Sequence, residues 1–190
     1  MERIISIGLK VNGKLKLAAQ YEKKAAVRKA AIIKYCWNKD KGFFFDYNIA
    51  MSQQSEIITA AGMFPLFVKI ATLAQAAAVA KTVQTSLLKD GGIVTTTNNS
   101  GQQWDAPNGW APLQWVSVIG FKNYNNNKLA KTIAQRWLAL VEKVYASTGR
   151  LMEKYNVEDI SKEAGGGEYQ SQDGFGWTNG VYLGLKKMYK

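Results

Sequence analysis

Apolar residues in this chain recur at three-to-four spacing over stretches of ~12 to 20 residues, and such stretches bury their apolar stripes only by packing helix on helix. Residues 17–37 show the pattern first: Leu17, Tyr21, Ala25, Ile32, Ile33, Cys36 and Trp37 fall on one side, and Lys23, Lys24, Arg28, Lys29 and Lys34 on the other. Turn-forming residues and a glycine at 38–42 end it. Further helices are predicted over 55–61, over 73–88 behind a capping Thr72, over 112–124, from 128 to 145 or beyond, and over 178–189. Pro65 reads as a break or a new first turn. Strands are minor: 42–48, with its run of phenylalanines, and 93–97, rich in β-branched residues, are predicted as brief extended pieces. The 190 residues therefore read as one all-α domain. Residues 1–16, broken by Lys10, Asn12, Gly13 and Lys14, are expected to be poorly ordered.

The chain has no histidine, which removes Ser-His-Asp and Cys-His hydrolases, HExxH zinc proteases and His-containing zinc fingers. Its single cysteine, Cys36, builds neither an internal disulfide nor a cysteine metal site. Acid–base work falls to carboxylates, Tyr or Lys. The net charge of +11 is lopsided, because residues 1–41 hold 11 Lys/Arg against 3 acids. No zinc, RNP or basic-zipper pattern accompanies that charge, so it reads as a solvated helix face, and nucleic acid is not expected as a partner. No secretory signal is readable, and the apolar stretch 57–80 is split by Lys69 and interrupted by Pro65, so no membrane span is expected. The compartment stays open.

Glycines and tryptophans gather in two loops. The first runs Gln102-Gln103-Trp104-Asp105-Ala106-Pro107-Asn108-Gly109-Trp110-Ala111-Pro112. Indole faces pack on the C–H face of a pyranose, while amides and carboxylates bond hydroxyls in both directions. The same residues read equally as core tryptophans and a helix-capping Asp. The second loop contains Gly165-Gly166-Gly167-Glu168-Tyr169 and continues through Asp173-Gly174-Phe175-Gly176-Trp177. It lacks the GK[ST] ending and the preceding strand of a phosphate loop, but its glycines let the backbone approach a ligand and present Glu168.

Together the two segments resemble the trehalase family. QWDAPNGWAP matches the signature Gln-Trp-Asp-x-Pro-x-Gly-Trp-x-Pro, and GGGEYQSQDGFGWTNGV resembles that family's glycine-rich segment. KYCWNKDKGFFFDYN at 34–48 and RLMEKYN at 150–156 extend the resemblance over nearly the whole chain from about residue 17. The resemblance implies an (α/α)6 toroid, here in part, that hydrolyses α,α-trehalose to two glucoses with inversion and without metal or cofactor. It places the general base on Glu153, in the Glu-Lys-Tyr element, and a substrate-binding glutamate on Glu168. Gln103, Trp104, Asp105 and Trp110 are expected to line the sugar pocket. The base role fits inverting chemistry, which needs a carboxylate to deprotonate water opposite the leaving group.

The departures are as informative. The family's Pro-Gly-Gly-Arg-Phe stretch, the segment carrying its general acid and its substrate-gripping arginines are not in this chain, and Ala164 stands where a further glycine is common. Members of the family are more than twice this length. The expectation is a C-terminal portion, 1–190, that lacks the acid and is inactive alone, with trehalose or a related disaccharide and the missing N-terminal portion as partners. A carbohydrate-binding or interaction module without catalysis is the alternative. Cut from a toroid, the apolar faces of 57–88 and 113–121 are expected to lack partners.

Overall fold

The computed structural model describes residues 1–165 and 169–189. Two antiparallel helices, α1 (Glu2–Val11) and α2 (Leu15–Cys36), open the chain. Glu22 on α2 accepts from Ser6 at 3.3 Å and from Lys10, and Arg28 pairs with Glu2. Residues 1–16, expected to be poorly ordered, include α1, and the polar residues that interrupt the apolar run fall in its last turn and just beyond it, where they end a helix rather than prevent one. On α2 only Ala18 is fully buried, and the lysines face solvent as expected. Ile33, Cys36 and Trp37 join its C-terminal end to the core.

Two short hairpins follow, β1 (Trp37–Asn38) with β2 (Phe43–Phe44) and β3 (Tyr47–Asn48) with β4 (Gln53–Gln54), with Phe43, Phe44 and Phe45 buried. The helix expected over 55–61 does not form. Thr59 bridges Thr96, the Ala60 amide donates to the Thr95 carbonyl at 2.8 Å and the Thr97 amide to the Ile58 carbonyl at 3.0 Å, so residues 58–60 are held extended by a distant segment. A 3-10 turn, Ala60–Met63, then leads into α3 (Phe64–Phe67), with Pro65 in its first turn.

Helix α4 (Leu73–Thr82) starts at Thr72 with a complete capping box to Gln75. It does not run to 88: a π-helical turn, Val83–Leu87, intervenes, and β5 (Leu88–Lys89) pairs with β6 (Gly92–Ile93). Next come β7 (Asn108–Trp110), α5 (Ala111–Asn123), α6 (Asn127–Thr148), β8 (Lys154–Asn156) and α7 (Gly176–Tyr189). Gly149, in the left-handed region at φ 69°, stops α6 with its amide on the Tyr145 carbonyl.

Helix α5 is the hub. It packs on α3, α6 and α7 and buries Leu113, Val116, Val118 and Phe121. On α6, Leu129, Ile133, Trp137 and Leu140 are buried at three-to-four spacing, an aliphatic side chain of this kind contributing ~1.5–3 kcal/mol by leaving water. The unpartnered face expected over 113–121 is therefore closed by α6 and α7. Over 57–88, by contrast, Ile57, Phe64, Val68 and Leu73 are exposed, and further exposed apolar residues cluster on α1, at Ile4, Ile7 and Val11. Among the described residues no helix is long and apolar enough to cross a membrane.

Candidate functional site

The QWDAPNGWAP segment and the Glu-Lys-Tyr element meet in one antiparallel ladder, with Asn108 opposite Asn156, Gly109 opposite Tyr155 and Trp110 opposite Lys154. Gly109 makes this approach possible, since a Cβ there would lie 2.4 Å from Val157 Cγ1 and 2.9 Å from the Ile93 carbonyl oxygen. From α5 the buried Gln114 amide accepts from the Ile93 amide at 2.8 Å and donates to the Ile93 carbonyl at 2.7 Å. Thr95 donates to the Asn108 carbonyl from both its amide and its hydroxyl, at 2.9 and 2.7 Å. The ladder is thus fixed on both sides before any ligand is considered.

Glu153 precedes β8 and is 2% exposed. Its amide donates to the Gln172 carbonyl at 2.7 Å, and its carbonyl accepts from Trp177 Nε1 at 3.3 Å. The Tyr169 hydroxyl donates to its Oε1 at 2.8 Å, while Oε2 is buried without a hydrogen-bond partner among the described residues. A carboxylate oriented through one oxygen and unpartnered at the other among the described residues keeps acceptor lone pairs that a donor can meet.

Next to it, Lys154 is also buried, with its ammonium donating to Gln103 Oε1 at 2.9 Å. It lies 5.8 Å from the centre of the Trp110 ring and 5.4 Å from that of Tyr169. Burial holds its pKa below the usual lysine range, and the Glu153 carboxylate pulls it back up.

An aromatic wall borders these groups. Trp104, 50% exposed, stacks parallel on the buried Trp110 with ring centres 4.0 Å apart. Trp177 meets Trp110 edge-on at 5.7 Å, and Phe175 lies 5.0 Å from Trp177. Trp110 Nε1 donates to the Gln103 carbonyl at 3.1 Å, which ties the amide and the indoles into one unit. The outer face of Trp104 is the platform on which a pyranose can stack.

Asp105 is placed differently. Its Oδ1 accepts from Thr96 Oγ1 at 2.9 Å, and its Oδ2 from Asn98 Nδ2 at 3.3 Å and from the Ser100 hydroxyl. Both oxygens are engaged in fastening the turn that carries Trp104, a role that the spacing of the motif does not reveal.

The glycine-rich segment is anchored at both ends. Asn108 Nδ2 donates to the carbonyls of Gly165 and Gln103 at 2.7 and 3.0 Å, and its Oδ1 accepts from the Gly165 amide at 3.2 Å. At the far end Asp173 bridges Met152 and pairs with Arg150 at 2.7 Å, and the Gly174 amide donates to the Leu151 carbonyl at 2.9 Å. Glu168 lies between these anchors, outside the described residues.

The structure therefore brings Gln103, Trp104, Trp110 and Glu153 together. It adds Lys154, Tyr169, Trp177 and Asn108, which sequence reasoning did not single out. Lys154 and Tyr169 directly follow Glu153 and Glu168, so adjacency was the available signal. Among the described residues no three Cys, Asp or Glu side chains lie close enough to hold a metal ion.

The trehalase family model matches residues 1–190. A periplasmic trehalase of Escherichia coli strain UMN026 is 45% identical over 183 residues, covering 96% of this chain and 32% of the relative. A protein described as a putative periplasmic trehalase from Escherichia coli O157:H7 is likewise 45% identical, with 33% of it covered. Among solved structures, the neutral trehalase of Saccharomyces cerevisiae superposes with a TM-score of 0.77 at 30% identity, over 91% of this chain and 31% of that one. A mannosylglycerate hydrolase from Thermus thermophilus gives a TM-score of 0.71 at 21% identity over 90% of this chain and 39% of its own, a likeness of fold. The mostly helical chain thus has the fold of part of an α/α toroid. It spans about a third of the length of the curated relatives it matches.

Proposed function

Since the chain belongs to the trehalase family, we propose that it supplies the base half of a two-carboxylate site that hydrolyses α,α-trehalose to two glucoses with inversion. One observation carries this reading: Glu153 is a buried carboxylate held by Tyr169 through Oε1, its Oε2 without a partner among the described residues, in a unit that also holds the Trp104–Trp110 platform. In the proposed reaction a water gives its proton to Glu153 and attacks the anomeric carbon. The bond from that carbon to the bridging oxygen breaks, and a general acid protonates the departing glucose. In this reading that acid is supplied from outside these 190 residues. Gln103 and Trp104 hold the sugar ring, Trp110 backs Trp104 from beneath, Glu168 accepts from the sugar hydroxyls, and Asp105 acts on the sugar through the loop it fastens.

The test uses an enzyme completed with the N-terminal portion of a relative. Glu153→Gln should lower kcat by ~10²- to 10⁴-fold while trehalose affinity is retained, because the amide keeps the shape but accepts no proton. Glu168→Gln should weaken affinity as well, since a hydroxyl-accepting carboxylate acts in ground and transition states alike. Glu153→Gln activity within a few-fold of the parent would refute the assignment. The isolated chain should release no glucose from trehalose. Turnover within ~10-fold of a complete trehalase would place an acid inside it, with Asp105 and Asp173 the first to test.

A further inference from the structure

Lys154 has no role in the two-carboxylate chemistry, yet no other Lys or Arg among the described residues is buried, and it is 1% exposed. Burying an ammonium costs several kcal/mol unless hydrogen bonds and nearby groups compensate. The compensation here includes Gln103 Oε1 at 2.9 Å and the faces of Trp110 and Tyr169. An ammonium has three donors and no acceptor, so a carboxamide can meet it only through its oxygen. Carboxamide oxygen and nitrogen are otherwise nearly interchangeable in shape, and the neighbours decide which way the group turns. Gln103 is 8% exposed, and its Nε2 makes no hydrogen bond among the described residues. The residue's other fixed contacts are through its carbonyl, to Asn108 and Trp110.

We propose that Lys154 is a positioning residue that selects the orientation of the Gln103 carboxamide, with the oxygen on the ammonium and the NH2 left to donate to a sugar hydroxyl oxygen. This rests on the sugar-binding reading above and sharpens it. Glu153 presents an acceptor and Gln103 a donor, and the two are linked through Lys154, Tyr169 and the Tyr169 hydrogen bond to Glu153. A site of that polarity favours a hydroxyl that gives its proton on one side and receives one on the other. Removing the ammonium frees the amide to turn over and present its acceptor instead.

The test is NMR on the 15N-labelled 190-residue chain, with the Gln103 side-chain NH2 pair assigned by its loss in Gln103→Glu. Lys154→Met should shift or broaden that pair and weaken trehalose binding about three- to tenfold, the worth of one hydrogen bond. Lys154→Arg, which also carries only donors, should preserve both. An unchanged Gln103 pair in a folded Lys154→Met protein would overturn the proposal. If that variant does not fold, the wild-type chain decides: contacts from the Gln103 NH2 protons to the Lys154 ε-methylene would show the amide turned the other way and overturn it, and their absence alongside a hydrogen-bonded Lys154 ammonium would support it. Should trehalose perturb no resonance while the pair responds to Lys154→Met, the orientation stands and only the sugar reading of the isolated chain fails.

Discussion

Asn108→Ala gives a direct measure of how the glycine-rich segment is held at the site. Asn108 is fully buried and makes three side-chain hydrogen bonds, two of them to the backbone of Gly165. Each bond contributes ~0.5–1.5 kcal/mol net, and the Gln103 carbonyl keeps its second donor in Trp110 Nε1 at 3.1 Å, so the expected loss is about 2–4 kcal/mol. For a chain of this size each kcal/mol moves Tm by ~2–4 °C, which predicts a fall of about 4–16 °C by calorimetry. The Gly165 amide, bonded to Asn108 Oδ1 at 3.2 Å, should lose hydrogen-exchange protection before the ladder amides do. Asn108→Asp should be worse than Ala: the carboxylate still accepts from the Gly165 amide but sets a buried charge against the Gly165 and Gln103 carbonyls, where the amide donated. A Tm within about 1 °C of wild type with Gly165 protection unchanged would refute this account of the anchor.

Three further outcomes are expected. Gly109→Ala should cost ~1–3 kcal/mol in a urea melt, because the new methyl meets Val157 at 2.4 Å and backbone oxygen at 2.9 Å; a change under ~0.5 kcal/mol would mean that the strands separate freely. Asp105→Ala should lower Tm together with trehalose affinity, since Thr96, Asn98 and Ser100 lose a common acceptor; weaker affinity at an unchanged Tm would assign Asp105 to the sugar itself. Hydrogen bonds from Ser161 and then Lys162 hold the Asp159 carboxyl down to about 2, so whatever it contributes to its turn is present above its ordinary value of 3.8 and lost as pH falls through about 2; NMR titration near 3.8 would contradict this.

What could be read in advance follows the range of the interactions. Helices α2, α5, α6 and α7 are written in local spacing, and the Thr72–Gln75 capping box sits within four residues, so these were legible. Residues 55–61 carry a helical pattern too, but Thr59 and Ala60 are captured by Thr95 and Thr96, a pairing that no local window contains. The same limit applies at the site. Glu153 came from motif resemblance and Gln103, Trp104 and Trp110 from the mix of indoles and amides in one loop, and the structure brings them together. That Lys154 reaches Gln103 across 51 positions, or that Asp105 is taken up by its own loop, depends on packing alone.

The pairing of Trp110 with Lys154 also dictates which changes of chain length the protein can survive. Successive side chains on a strand face opposite ways, so deleting or inserting one residue in 150–153 would exchange the facing of every residue in β8. The buried ammonium would leave Gln103, Tyr155 would leave its edge-on contact with Trp137, and a side chain would arrive where Gly109 leaves no room. The exposed stretches 49–52 and 161–163 are under no such constraint, and each doubling of loop length there costs only ~0.6 kcal/mol. Insertion scanning should therefore divide the chain sharply, with tags and extra residues accepted at those two tips and rejected in the six positions from Arg150 to Tyr155.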